Sequence, residues 1–457
     1  MRNPIDILSK QNAIIMKHNK ILKGLFTLIA FFILFNCYGQ KSNNHNLEGT
    51  WVGNSSPDSF SNSFRINFEK SNNSYKATFA SDEQRALDIP LQKVTYDSIK
   101  QLVTFALVGD FDSWNFEGTI KGRVFKGTIT KGNQKANFTL IKQKSAPLPY
   151  NKQEVTFFND TIKLSGSLYL PKSHKKVPAI IFIHGSGSEP RFASAYFADY
   201  FAKRGIAVLI YDKRGVGKST GDWRISSFQD LAKDAVGGIK ILEGNSKIDA
   251  KKIGVYGHSQ GGSICPMLLT MYPKLSFGIS AASAGVSMEE SDWYEVQNRF
   301  KKYVSGTDYN NAMTVMAKYL KFASTGKGYE ELITEAKKYK KEQWFQDYIG
   351  NIDSTAFFFH YYRNIGSYNA VDYWKKVKQP VLILKGDKDQ TSPGYPSFQN
   401  IENALKQASN NNYKIVVFPN TSHEMHVVGK PTDFWFKATL NYTETIYNWL
   451  KTTIIDK

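Results

Sequence analysis

The chain has 457 residues, 41% hydrophobic and 14% aromatic, with a formal net charge of +19. That is enough apolar material for two to three domains of about 150 residues each, and it excludes a disordered chain. Residues 1–39 hold five Lys/Arg and one Asp, leaving +15 on the rest; no basic stripe with interleaved aromatics appears, so no nucleic-acid partner is expected.

In chain order, Lys17 to Lys23 form a basic segment before the apolar run Leu25 to Phe35, and Cys37-Tyr38-Gly39 places small residues ahead of Gln40. This predicts a secretory signal peptide over residues 1–39, with Met16 as an alternative start, and a periplasmic or extracellular product. The run is too short for a comfortable membrane span, so no stable span is expected in the mature form. Cys37 could instead carry a lipid, but Asn36 before it is not the small residue that lipoprotein cleavage prefers. Cys265 would then be the lone cysteine, a buried packer with no disulfide.

Residues 40–144 read as a small antiparallel β-barrel or sandwich, its alternating strands beginning at Leu47. Period-2 segments such as Phe64-Arg65-Ile66-Asn67-Phe68 and Trp114-Asn115-Phe116-Glu117-Gly118 alternate with turns such as Lys121-Gly122-Arg123, predicting about seven or eight strands. The module resembles the lipocalin-like units that precede some secreted bacterial hydrolases; a stability or docking role is favoured over a ligand or glycan pocket. Residues 145–153, opening Ser145-Ala146-Pro147, form a linker.

From 154 to 457 the rhythm changes. A hairpin (Glu154 to Phe158, Ile162 to Leu170) leads to a strand without alternation, Val177 to Ile183, as expected in a parallel sheet covered on both faces. Helix Phe192 to Lys203, strand Ile206 to Tyr211, helix Phe228 to Leu242, and strands Ile253 to Tyr256, Phe277 to Ala282, Val381 to Leu384 and Tyr413 to Phe418 continue it. A helix from about Asp433 to Lys451 closes the chain. This predicts an open, mainly parallel α/β sheet. The aromatic-rich stretch 288–372 interrupts the rhythm above the strand ends and reads as a helical cap, its aromatics mostly forming its own core.

The strand Ile253 to Tyr256 runs into Gly257-His258-Ser259-Gln260-Gly261. So tight a strand-to-helix turn holds Ser259 in a strained conformation that only small neighbours, Gly257 and Gly261, tolerate. With His184-Gly185-Ser186-Gly187, Asp212-Lys213-Arg214-Gly215, Gly386-Asp387-Lys388-Asp389 and Ser422-His423 in this order, residues 154–453 resemble the α/β-hydrolase superfamily, and most of all secreted bacterial serine esterases bordering prolyl-oligopeptidase-like and serine-aminopeptidase-like branches.

The resemblance implies Ser259 as nucleophile, His423 as its base and Asp389 as the acid orienting that base, with His426 and Asp387 as nearby rivals. The backbone N–H groups of Ser186 and Gln260 would form the oxyanion hole. His184, Gly185, Gly257 and Gly261 would support the site, His258 would point away from the hydroxyl, and Asp212 and Arg214 would be structural or rim residues. Gly215-Val216-Gly217-Lys218-Ser219 imitates a phosphate loop, but Asp212 stands where that motif needs glycine. No metal-ligand spacing is present and no cofactor is expected. The expected substrate is a small-molecule acyl ester. The alternatives are a peptidase, with Glu289, Glu290 and Asp292 holding a free amine, a non-catalytic glycan- or lipid-binding protein, and an acyltransferase.

Overall fold

A computed structural model describes residues 47–109, 112–428 and 434–457. The expected signal peptide and Cys37 lie outside the described residues.

The first sheet has nine strands: β1 (Gly49–Ser56), β2 (Ser63–Ser71), β3 (Ser74–Ser81), β4 (Ala86–Pro90), β5 (Gln92–Asp97), β6 (Leu102–Val108), β7 (Ser113–Lys121), β8 (Val124–Lys131) and β9 (Gln134–Gln143). Each pairs antiparallel with its neighbours in the order β4-β3-β2-β1-β9-β8-β7-β6-β5, and β5 returns against β3, so the sheet is nearly a barrel. The period-2 pattern fills its interior with Trp51, Phe64, Phe68, Phe116, Phe125 and Phe138. The two strands not foreseen, β4 and β5, lie where alternation breaks down. Arg85, Asp88 and Lys93 adopt left-handed φ, and Pro90 has no amide to donate.

The mouth of this barrel is filled from far away in sequence. Phe434 and Trp435 insert into it, Trp435 stacking on Trp114 at 5.4 Å between ring centroids. Trp435 Nε1 donates to Ser55 Oγ at 3.2 Å, and Trp114 Nε1 to the Phe434 carbonyl at 3.1 Å. The barrel therefore packs its open end with its own chain. Truncating this plug, Trp435→Ala, removes a fully packed indole and is expected to cost about 3–5 kcal/mol, read as a lower urea midpoint. A loss under about 1 kcal/mol would mean that the plug does not hold the two sheets together.

The plug also corrects the last helix. Expected from about residue 433, which lies outside the described residues, the helix runs only over Tyr442–Leu450, followed by a π-turn over Lys451–Ile455. Phe434 and Trp435 are committed to the barrel, and Asn441, at φ 59°, sets the chain in a left-handed turn before the helix starts.

The second sheet has eight strands: β10 (Tyr150–Asn159), β11 (Ile162–Pro171), β12 (Val177–Ile183), β13 (Ala207–Tyr211), β14 (Ile248–His258), β15 (Phe277–Ala281), β16 (Val381–Gly386) and β17 (Tyr413–Phe418). Their order is β10-β11-β13-β12-β14-β15-β16-β17, with an antiparallel hairpin at one edge and parallel pairing from β13 onward. Both faces are covered by apolar clusters, which is why the central strands show no alternation. Between β15 and β16 the helices Met288–Tyr303, Gly306–Thr325, Tyr329–Lys337, Gln343–Tyr348, Phe357–Ile365 and Val371–Trp374 form the cap over the carboxyl ends of the strands. No helix among the described residues is long and apolar enough to cross a membrane.

Candidate active site

β14 ends at His258 and the next helix begins at Gln260, leaving Ser259 alone to make the turn at φ 54°, ψ −117°. Such a conformation costs a non-glycine residue about 1–3 kcal/mol and persists only when its surroundings fix it. They do: Ser259 N donates to the Ala281 carbonyl at 2.8 Å. A Cβ on Gly257 would overlap the Gly261 backbone, and one on Gly261 would overlap the carbonyls of Ile183 and His184. The two glycines flanking the serine are therefore a steric requirement of the turn.

Three side chains from three strand ends meet here. Ser259 Oγ lies 2.9 Å from His423 Nε2, and His423 Nδ1 lies 3.1 and 3.0 Å from the two carboxylate oxygens of Asp389. Asp389 follows β16 and His423 follows β17. The Asp389 carboxylate accepts from Thr391 N at 2.9 Å, Ser392 N at 3.0 Å and Ser392 Oγ at 2.9 Å. Burial alone would raise its pKa, but the His423 imidazole, its hydrogen bond and the Lys385 ammonium at 3.6 Å outweigh that and hold it well below the usual carboxylate range. Burial pulls the imidazole of His423 down, and Asp389 more than reverses this, so its pKa is raised above 6.5. A carboxylate fixed as an anion keeps the proton on Nδ1, which leaves the Nε2 lone pair facing the serine hydroxyl.

The rivals lie elsewhere. Asp387 accepts from Thr421 N at 3.1 Å and pairs with Lys388. His426 stacks on Phe436, 4.4 Å between ring centroids. His258 places its Nε2 2.9 Å from the His423 carbonyl. Half-buried His184 donates from Nε2 to the Tyr211 carbonyl at 2.5 Å and, chiefly through desolvation, is pushed down to about 3. Asp212 accepts from Arg191 N, Arg191 NH2 and Lys218 N, while Arg214 holds Asp234 in a bidentate pair at 2.7 and 2.6 Å. The imitation phosphate loop thus folds around Asp212. Cys265 is buried and free, its thiol pushed up by burial.

Residues 174–427, more than half of the chain, match the family described as serine aminopeptidase, S33. The chain belongs to this family of α/β-hydrolases. Curated relatives match parts of the chain. The esterase EstD of Thermotoga maritima is 24% identical over 270 residues, 57% of this chain and 58% of its own. The quorum-quenching protein AidA of Acinetobacter baumannii is 30% identical over 116 residues, 25% of this chain and 38% of its own. The thiohydrolase aneE of Aspergillus aculeatus is 32% identical over 112 residues, 24% and 35%. The chain thus spans between about a third and three fifths of the length of these relatives. Among solved structures, an esterase of Pyrococcus furiosus is 18% identical, covering 69% of this chain and 96% of its own, at a TM-score of 0.45.

In this S33-family chain the loop after β12 lies beside the serine, and Gly185 and Ser186 line the same cavity as Ser259 and His423. Sequence reasoning missed what holds that loop. Lys213, fully buried, donates from Nζ to the Gly185 carbonyl at 2.7 Å and to Gln260 Oε1 at 2.9 Å. Gln260 Nε2 in turn donates to Tyr361 Oη of the cap at 2.6 Å. A trans peptide points its C=O and N–H in opposite directions, so pinning the Gly185 carbonyl inward aims the Ser186 N–H the other way. Gln260 is the first residue of its helix, and its N–H has no intrahelical acceptor. The only sequence signal for Lys213 was its place in Asp212-Lys213-Arg214-Gly215, which the resemblance to a phosphate loop obscured.

The cavity holds about 360 Å³. Met288, Val296, Met316, Leu320 and Phe358 of the cap give it apolar walls, so a minority of the cap aromatics do line the cleft while Phe359 and Phe322 pack its core. Of the acidic residues considered for an amine, Asp292 reaches the cavity, whereas Glu290 closes a capping box with Ser287 and Glu289 is exposed. Glu295, not foreseen, joins Asp292 there. Among the described residues no group of side chains is placed to hold a metal ion.

Proposed function

We propose that the protein is an exported serine hydrolase that cleaves carboxylic esters through an acyl-enzyme. The observation that carries this is the unbroken hydrogen-bonded file Ser259–His423–Asp389, opening into a cavity with apolar cap walls. His423 takes the Ser259 proton as the oxygen attacks the acyl carbon, and Asp389 stabilises the imidazolium. The Ser186 and Gln260 amides receive the developing oxyanion. The tetrahedral species collapses, the alcohol leaves with the proton returned by His423, and water then releases the acid by the same route. Esters are favoured because an alkoxide asks less of the acid catalyst than an amine. The printed names of the relatives, an esterase and a thiohydrolase, fit hydrolysis at an acyl carbon. The basic and apolar run from Lys17 to Phe35 supports export to the periplasm or beyond.

Labelling with a fluorophosphonate probe, lost in Ser259→Ala, tests the nucleophile. A second reading, a peptidase acting on a free amino terminus, is favoured by Asp292 and Glu295 in the cavity; hydrolysis of amino-acid p-nitroanilides in preference to p-nitrophenyl acyl esters would establish it instead.

Lys213→Met is expected to lower kcat about 10²-fold with KM little changed, because the loop would no longer be held with the Ser186 amide aimed at the oxyanion. Steady-state kinetics on a p-nitrophenyl ester checks this. A rise in KM at constant kcat would place Lys213 in substrate binding instead.

A further inference from the structure

A second chamber of about 290 Å³ opens where the barrel meets the α/β sheet. The turn between β3 and β4 supplies Gln84 and Arg85, the other side Phe197, Glu424, His426 and Phe436. It shares Gly185, Glu189, His258 and Glu424 with the cap cavity. Three of these, Gly185, His258 and Glu424, are the sequence neighbours of Ser186, Ser259 and His423. We propose that this chamber is the subsite for the leaving alcohol of the ester, and that this alcohol is a hydroxylated, sugar-type one. The proposal rests on the serine esterase reading above.

Position carries the first half of the argument. In the acylation step the bond from the acyl carbon to the alcohol oxygen breaks as the bond to Ser259 Oγ forms. The proton taken from Ser259 must reach the departing oxygen from His423 Nε2. The alcohol therefore lies on the His423 side, and the segment immediately after His423, Glu424 to His426, walls this chamber. The acyl chain is left the cap cavity with its apolar walls. The barrel fixes the chamber's shape. An Arg85 guanidinium nitrogen donates to the Met425 carbonyl while its Cζ lies 4.7 Å from the Tyr442 ring centroid. Ala438 N donates to the Glu83 carbonyl at 2.9 Å. The barrel turn is thus bonded to the loop that carries the general base.

Chemistry carries the second half. Gln84 is 6% exposed, yet its amide Nε2 has no hydrogen-bond partner. A buried donor left unpaired is costly, and an apolar alcohol would leave it so. Glu189 also lines the chamber; one of its oxygens accepts from Gly185 N at 2.8 Å, and the other remains as an acceptor. Phe197 and the half-exposed Phe436 add aromatic faces. A donor, an acceptor and aromatic faces in one small chamber suit a ring whose edges carry hydroxyls and whose faces carry C–H groups.

The test compares 6-O-acetylglucose with ethyl acetate, which share the acyl group. Gln84→Leu keeps the side chain's bulk and removes the donor. Its KM for 6-O-acetylglucose should rise about tenfold, with ethyl acetate changed less than about twofold. In parallel, Ser259→Ala protein should bind 6-O-acetylglucose by titration calorimetry, and adding Gln84→Leu should weaken that binding about tenfold. Equal effects of Gln84→Leu on the two esters, or no binding of the sugar ester by Ser259→Ala, overturns the proposal. If the wild type hydrolyses neither ester and takes no fluorophosphonate label, the esterase reading fails, while the titration still decides the chamber. Should Gln84→Leu not fold, Phe436→Ala on the exposed rim makes the same comparison.

Discussion

Ser259→Ala is expected to lower kcat on a p-nitrophenyl ester by about 10⁴–10⁶-fold and to leave the fold intact. The size follows from the role: without the hydroxyl no acyl-enzyme forms, and only the aimed amides of Ser186 and Gln260 remain to help water. The fold should tolerate the change because alanine is smaller than serine and the turn is fixed by Gly257, Gly261 and the Ser259 amide bond to Ala281, none of which the hydroxyl supplies. Thermal melting compares the stabilities directly, and a shift in either direction of more than a few degrees would show that the hydroxyl has a structural role. The serine's left-handed φ is equally unfavourable for alanine, so no strain is relieved. Residual activity above about one part in a hundred would place the nucleophile elsewhere.

Much of the architecture was legible because its signals are local. The unalternating run around Ile180 announced a strand buried on both faces, and Gly257 and Gly261 announced a turn with no room for a Cβ. The resemblance carried by five motifs in register implied that Ser259, Asp389 and His423 meet at strand ends, and the structure brings the three together. What was not legible depends on distant partners. Nothing around Phe434 and Trp435 says that they leave their own segment to fill a barrel more than 300 residues upstream, where Trp114 and Ser55 meet them. Arg85 reads as a surface charge in a turn until its bond to the Met425 carbonyl is seen. Lys213 and Lys385 are lysines in a lysine-rich chain, yet both are buried, and desolvation draws each down to about 8 against the pull of Glu189 and Asp389 respectively. A scattered surplus of charge hides the few cations that burial makes specific.

Asp389→Asn is expected to lower kcat by about 10⁴-fold. In the wild type, Oδ1 accepts from the Thr391 and Ser392 amides and lies 3.1 Å from His423 Nδ1, while Oδ2 accepts from Ser392 Oγ, faces Lys385 and lies 3.0 Å from His423 Nδ1. An asparagine that keeps its oxygen toward the two amides places its NH2 where Oδ2 stood, against His423 Nδ1. His423 Nδ1 would then have to accept, its proton would move to Nε2, and the lone pair that should take the serine proton would be gone. The pH profile supplies a second readout. With Asp389 present the imidazole pKa is raised above 6.5, so kcat/KM should fall as pH drops through a value above 6.5. Removing the carboxylate leaves burial and Lys385, which lower the imidazole pKa, opposed by Glu424, so the acid limb of the residual activity should move to lower pH. Asp387→Asn is the control: its carboxylate accepts from the Thr421 amide and does not reach His423, so kcat should change less than about threefold. If Asp387→Asn were the more damaging, or if Asp389→Asn kept a tenth of the activity with an unmoved acid limb, the carboxylate that orients the base would not be Asp389.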